Sequence, residues 1–164
     1  GIRVADGTVI VVAGPAGVEG GTHEMWRMAQ ERSLPRIIFI SKMDRENVEY
    51  EQGLDSLTES FGRQCVATQV PIGSEADFSG VVSLLDPDAD VPPEMQERVE
   101  AARERLIEAV AETDDDLATK YLEGESLTTE EIVNGLKSGV ASGAIVPIMV
   151  GAAASGTCTL SQAR

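Results

Sequence analysis

The chain has 164 residues, enough for one ordinary domain or a core domain with an insertion, and its 42% apolar and 25% charged residues are those of a globular protein rather than a disordered or fibrous one. Acidic residues number 28 against 13 basic ones, a formal net charge of −15, which argues against a free-standing, sequence-specific nucleic-acid binder, because phosphate contacts need clustered Lys and Arg. No apolar run approaches the roughly 18 residues of a membrane span and no signal-peptide layout opens the chain, so a cytoplasmic protein without membrane contact is expected.

In chain order, residues 8–12 are a β-branched run between Asp6-Gly7 and Ala13-Gly14-Pro15, which predicts a strand buried on both faces, as in a parallel sheet. Thr22 is expected to cap a helix reaching about residue 33, with Met25, Trp26, Met28 and Ala29 toward the core, and Pro35 prevents its continuation. Residues 37–40 predict a second buried strand that runs directly into Ser41-Lys42-Met43-Asp44. A helix follows over residues 48–61, with Tyr50, Leu54, Leu57 and Phe61 at helical spacing and Gly62 ending it.

Residues 65–71 read as one more strand, and residues 145–150 as a last one running into the small residues 151–155. Strands alternating with helices imply an α/β sheet. Residues 73–142 differ in character, with eighteen acidic residues against five basic ones. There Pro93 or Glu94 opens a long helix to about residue 112 with Val99, Ala102, Leu106 and Val110 as its apolar stripe, and two shorter helices follow over residues 114–122 and 128–140. Thr128 with Glu131 three residues on is a capping-box pattern, and the acids of Asp114-Asp115-Asp116 suit a helix start better than a metal loop. Arg98, Arg103 and Arg105 are expected to pair with Glu neighbours on the long helix.

Ligands of open α/β sheets lie beyond the carboxyl ends of the strands, so residues 41–44 and 151–155 are the loops to inspect. A Lys-x-Asp tripeptide there suits guanine. The carboxylate accepts two bonds from the ring N–H and exocyclic amine, a donor pair adenine lacks on that edge, while the Lys stem lies over the purine face. Each charge-assisted bond contributes about 1.5–3 kcal/mol, and a wrong base would leave the carboxylate unpaired. Small residues such as Gly151-Ala152-Ala153 let backbone N–H groups approach a base oxygen. Cys65 and Cys158 lack metal-ligand spacing and read as reduced thiols, with Arg63 the basic neighbour of Cys65, and His23 has no carboxylate-plus-Ser arrangement around it.

With these residues in view, the chain resembles the GTP-binding domain of bacterial elongation factor G and its elongation-factor-G-like relatives along nearly its whole length. The resemblance lies in Arg3-Val4-Ala5-Asp6-Gly7 and the valine strand after it, Gly17-Val18-Glu19, Leu34 through Arg45 with its Ser41-Lys42-Met43-Asp44, Pro71-Ile72-Gly73, Lys120-Tyr121-Leu122-Glu123-Gly124, and Val146-Pro147-Ile148 followed by Gly151. It implies a partial P-loop-GTPase-type fold, a mostly parallel sheet with flanking helices and a mainly helical acidic insertion. Residues 1–72 would be the second half of the GTPase core, 73–142 the inserted subdomain, and 143–164 the last strand, base-contact loop and start of a final helix. Ser41, Lys42 and Asp44 fall on the family's guanine-specificity box, and Ala152 and Ala153 on its base-contacting loop. Glu108 and Glu112, one turn apart on the insert's long helix, fall where the family meets the basic C-terminal domain of the ribosomal stalk protein.

Two residues depart from the family pattern: Ser41 stands where the family usually has Asn, and Ala152 where it has Ser. The 164 residues also hold no Gly-x-x-x-x-Gly-Lys-Ser/Thr, no switch threonine and, ahead of the first strand, no Asp-x-x-Gly, the motifs that hold phosphates and Mg²⁺. The expectation is therefore a fragment, incomplete at both ends. It would carry the base-reading half of a GTP/GDP site in a parent that hydrolyses GTP on the ribosome, with Mg²⁺ held by residues absent here and no hydrolysis by this chain alone. A sheet lacking its first strands would expose an edge and an apolar face. The rival expectation is a non-catalytic module that docks a basic partner through its acidic insert. A Rossmann-type oxidoreductase has no Gly-x-Gly-x-x-Gly after the first strand to support it.

Overall fold

The computed structural model describes residues 4–153, so Cys158 and the expected final helix lie outside the described residues. The valine- and isoleucine-rich runs pair as parallel strands. β1 (Thr8–Ala13), β2 (Arg36–Ser41), β3 (Cys65–Ala67) and β6 (Val146–Val150) form one sheet in the order β1-β2-β6-β3. Parallel neighbours require crossovers, and α1 (Gly20–Gln30) and α2 (Tyr50–Phe61) supply the first two. Both lie on one face of the sheet. Trp26 of α1 stacks on Phe61 of α2 at 4.3 Å between ring centroids, above Ile10, Ile38, Ile40 and Ile148. Burying each such aliphatic side chain contributes about 1.5–3 kcal/mol.

Two expectations at this end of the sheet need correction. β1 is not buried on both faces: Ile10 and Val12 are buried, but Val9 and Val11 are 61% and 62% exposed. The reason is position, since β1 is the edge strand and α1 and α2 cover only the face that Ile10 and Val12 share. The cap of α1 is Glu19, not Thr22. Thr22 sits at the third helical position, where its hydroxyl accepts the Glu19 N–H at 3.2 Å. Met25 is 41% exposed, and of the expected inward residues only Trp26 and Ala29 are buried.

The run expected as a single strand over residues 65–71 is two strands in two sheets. Thr68 closes β3, its N–H and its hydroxyl both donating to the Ile148 carbonyl at 3.0 Å. The chain then leaves the parallel sheet. β4 (Gln69–Ile72) pairs antiparallel with β5 (Gly80–Ser83), a strand with no signal in the sequence reading. α3 (Gln96–Ala111), preceded by a 3-10 turn over Pro93–Met95, α4 (Asp115–Leu122) and α5 (Thr129–Ser142) complete the described elements. Val99, Leu106 and Val110 of α3 form a second core with Val66, Val70 and Ile145, as the stripe predicts. Two arginines of α3, Arg98 and Arg103, reach off their own helix. Arg98 pairs with Glu51 of α2 at 2.7 Å, and Arg103 donates to the Leu84 and Asp86 carbonyls at 3.3 and 2.9 Å, because both point toward the neighbouring elements rather than along α3.

The helix starts follow their caps. Asp114 accepts the N–H groups of Asp116 and Leu117 at 2.9 and 3.2 Å. The Thr128 hydroxyl accepts the Glu131 N–H at 3.3 Å, and Glu131 accepts the Thr128 N–H at 2.9 Å. Lys120 of α4 also binds Glu131. The Lys120 ammonium, followed by the Thr128 donors, holds the Glu131 carboxyl down to about 2 from its ordinary 4.5. A carboxylate depressed in the folded state contributes stability above its unfolded value and loses it as pH falls toward the folded one. The protection factors of the Glu131 and Ile132 amides, their exchange rates taken relative to an unstructured chain at the same pH, are therefore expected to fall between about pH 5 and pH 2, and Glu131→Gln is expected to abolish most of that dependence.

Candidate functional site

β2 and β6 are register neighbours, with Ile40 opposite Val150, so the loops after them leave the sheet side by side. A single residue ties them together. Gly151 donates its N–H to the Ile40 carbonyl at 3.0 Å and accepts the Met43 N–H at 3.3 Å. The loop after β1 joins on the other side. Gly14 donates to the Ser41 carbonyl at 2.8 Å, and the Ser41 hydroxyl donates to the Val12 carbonyl at 3.3 Å. A Cβ on Gly14 would lie 2.9 Å from Val48 Cγ1 and 3.2 Å from the Ser41 oxygen, so only glycine permits this approach.

Lys42 is left-handed, at φ 62°, an arrangement that costs about 1–2 kcal/mol for an L-residue. The reversal sends neighbouring side chains to opposite destinations. Met43 turns inward and is 0% exposed, Lys42 is exposed, and Asp44 is half-buried. Within the described residues neither the Lys42 ammonium nor the Asp44 carboxylate has a hydrogen-bond or ion-pair partner. Ala152 is buried in the first core and Ala153 is exposed; residues 154 and 155 of the expected loop lie outside the described residues. The structure thus brings Ser41, Lys42, Asp44, Ala152 and Ala153 to one end of the sheet. Ser41, with its short hydroxyl spent on Val12, stiffens the β1–β2 junction.

Three residues of this region have no counterpart in the sequence reading. Asn47 donates its N–H to Glu75 Oε1 at 2.7 Å. Gln69 Oε1 accepts the Val150 N–H at 3.2 Å, and the Gln69 carbonyl accepts the Tyr50 hydroxyl at 2.7 Å. Phe78 is buried in the same core as Met43 and Val48. These three, Glu75, Gln69 and Phe78, lie between β3 and β6 in sequence and reach the site through the β4–β5 hairpin, whereas Asn47 belongs to the loop after β2.

Glu108 and Glu112 lie elsewhere. Both are exposed, Glu108 in the last turn of α3 and Glu112 at the cap just past it, and they line a groove of about 610 Å³ between α2 and α3, together with Arg63 and Arg105, over a floor that includes Leu54 and Ala109. No residue of the loops after β2 and β6 lines it. Arg98 spans one end, its guanidinium 5.0 Å from the Tyr50 ring.

The remaining reactive groups are structural. His23 packs its ring 5.2 Å from Phe61. Burial pushes the Cys65 thiol up to about 12, and its basic neighbour is Arg36 rather than Arg63, a consequence of the strand packing. Arg36 is buried with its guanidinium 4.5 Å over Trp26, and burial lowers its pKa. Among the described residues no group of three or more His, Cys, Asp and Glu is placed to hold a metal ion. No helix among them is long and apolar enough to cross a membrane.

Comparison with known proteins places this geometry in context. The family model for the elongation factor Tu GTP binding domain matches residues 1–161. A crystal structure of a protein from Thermus thermophilus is similar to the chain with a TM-score of 0.83 and 29% sequence identity, over 92% of this chain and 24% of that one. The chain therefore spans about a quarter of that protein's length.

With its thiol buried and held protonated, Cys65 is expected to react with a disulfide reagent at pH 8 at least about a hundredfold more slowly than in denaturant. Comparable rates in the two conditions would contradict the packing around β3.

Proposed function

Because the chain belongs to the elongation factor Tu GTP-binding domain family, we propose that residues 41–44 and 151–153 form the guanine-reading part of its GTP site. The observation that carries this reading is the junction at the carboxyl ends of β2 and β6, where Gly151 bonds to both Ile40 and Met43 beside a half-buried Asp44 with no partner within the described residues. An unpaired carboxylate on a rigid loop is a recognition element awaiting donors. Asp44 accepts the ring N–H and exocyclic amine of guanine, Lys42 lays its stem on the purine face, and Ala153 offers its N–H to the base oxygen. The two bonds to Asp44 contribute about 1.5–3 kcal/mol each. Adenine forfeits both, which is sufficient for selection.

Within the family, the motif resemblance and the acidic, mainly helical residues 73–142 support an elongation-factor-G type of translational GTPase acting on the ribosome in the cytoplasm. GTP hydrolysis belongs to the whole protein, and in this reading the phosphate and Mg²⁺ contacts come from residues outside these 164. Replacing Asp44→Asn in the full-length protein is expected to shift preference from GTP toward xanthosine triphosphate by at least about tenfold, because the amide places a donor where guanine also has one. Unchanged selectivity in a competition assay would sink the assignment of Asp44.

A second surface supports the partner reading. Glu108 and Glu112 line one side of the α2–α3 groove in a segment rich in acids, which favours a basic partner such as the C-terminal domain of the ribosomal stalk protein. The same surface would serve a purely docking module. The double variant Glu108→Lys plus Glu112→Lys is expected to weaken a salt-sensitive stalk complex at least about tenfold while guanine binding persists. Equal binding by wild type and variant, measured by titration at two salt concentrations, would remove these residues from the interface.

A further inference from the structure

The loop carrying Asp44 is not held by its own strand alone. Left-handed residues bracket it, Lys42 and Asn47, each at φ 62°, so its shape depends on contacts from outside. The outside contact is the β4–β5 hairpin. Gly73 at φ 74° opens a turn so tight that a Cβ there would lie 2.1 Å from the Asp77 carbonyl oxygen. That turn aims Glu75, whose Oε1 accepts the Asn47 N–H at 2.7 Å. Phe78, at the close of the turn, is buried in the core that contains Met43 and Val48.

The same hairpin also reaches the other base-reading loop. β6 extends past the end of β3, and where a continuing β3 would have offered a backbone acceptor to Val150, the Gln69 side chain supplies one at 3.2 Å. Val150 is the residue before Gly151. Tyr50, at the start of α2, locks the Gln69 backbone through its hydroxyl at 2.7 Å. One hairpin thus bonds to both segments that Gly151 joins.

We propose that the β4–β5 hairpin positions the guanine-reading surface, Glu75 fixing the loop after Asp44 and Gln69 fixing the strand before Gly151. The inference rests on the guanine-nucleotide reading above. Both are positioning residues, since they hold backbone N–H groups beside the loops and take no part in contacting the base. Their effect is on the fraction of molecules whose loops are in the binding geometry, and apparent affinity falls with that fraction.

The test is the release of N-methylanthraniloyl-GDP from the full-length protein, chased with excess GDP and followed by stopped-flow fluorescence. Wild type should retain this probe in preference to the adenine analogue; if it does not, the guanine reading fails and the inference falls with it. Given that selectivity, Glu75→Ala is expected to release the probe about three- to tenfold faster, and Glu75→Gln, which keeps the acceptor oxygen, to return close to the wild-type rate. Glu75 is itself left-handed, at φ 52°, and alanine and glutamine bear that same backbone, so the difference between them reports the hydrogen bond and not strain. Because Glu75 is exposed, its variants should melt at the wild-type temperature. Gln69→Leu is expected to quicken release in the same direction. A wild-type release rate in Glu75→Ala or in Gln69→Leu removes that residue from the account, and a Glu75→Gln variant as fast as Glu75→Ala overturns the role of the carboxylate.

Discussion

The Gly151 peptide is bonded on both sides, its N–H to the Ile40 carbonyl and its oxygen to the Met43 N–H. These two bonds bridge the ends of neighbouring parallel strands at the point where each strand stops and its loop begins. The rest of the site follows from that bridge. Met43 can point into the core only because its N–H is already satisfied, and with Met43 inside, Lys42 and Asp44 have nowhere to go but outward and to the rim. The left-handed turn at Lys42 is the local cost of this arrangement. Burial of Met43 and the backbone bonds around Gly14, Ser41 and Gly151 offset it.

The two cores divide the labour. The first, between the sheet and α1 and α2, sets the strand order that brings β2 and β6 together. The second, built on α3 and α5, packs against β3 and β6 and carries the acidic exterior. Phe78 belongs to the first core although it sits in the hairpin between β4 and β5, so the hairpin is the physical seam between them. This is why a segment that reads as a separate insertion in sequence contributes hydrogen bonds to the loop after β2 and to the end of β6.

Most local signals were legible, the start of α1, capped by Glu19 rather than Thr22, being the exception. The Ile-Ile-Phe-Ile run, the capping residues Asp114, Thr128 and Glu131, the stop at Gly62 and the stripe of α3 all fold as their spacing implies. Lys42 and Asp44 stood out because a strand's carboxyl end has a known chemical use and the flanking segments resemble a known family. What stayed hidden was non-local. The run through residues 65–71 reads as one strand, whereas it divides at Thr68, whose partner is an oxygen on Ile148, eighty residues away. Whether Val9 and Val11 are covered depends on strand order, which periodicity does not encode. Arg98 looked like a partner for its own helix but meets Glu51 instead. Glu75 is an ordinary exposed acid until the fold sets it beside Asn47.

The central claim is that the joined loops after β2 and β6 read guanine. The most direct measurement is a crystal structure of the full-length protein with GDP bound. The account predicts the Asp44 carboxylate within hydrogen-bond distance of both the ring N–H and the exocyclic amine, the Lys42 stem against the purine face, and the Gly151 bonds to Ile40 and Met43 intact. A base bound away from residues 41–44, or one that breaks the Gly151 bridge on binding, would contradict it.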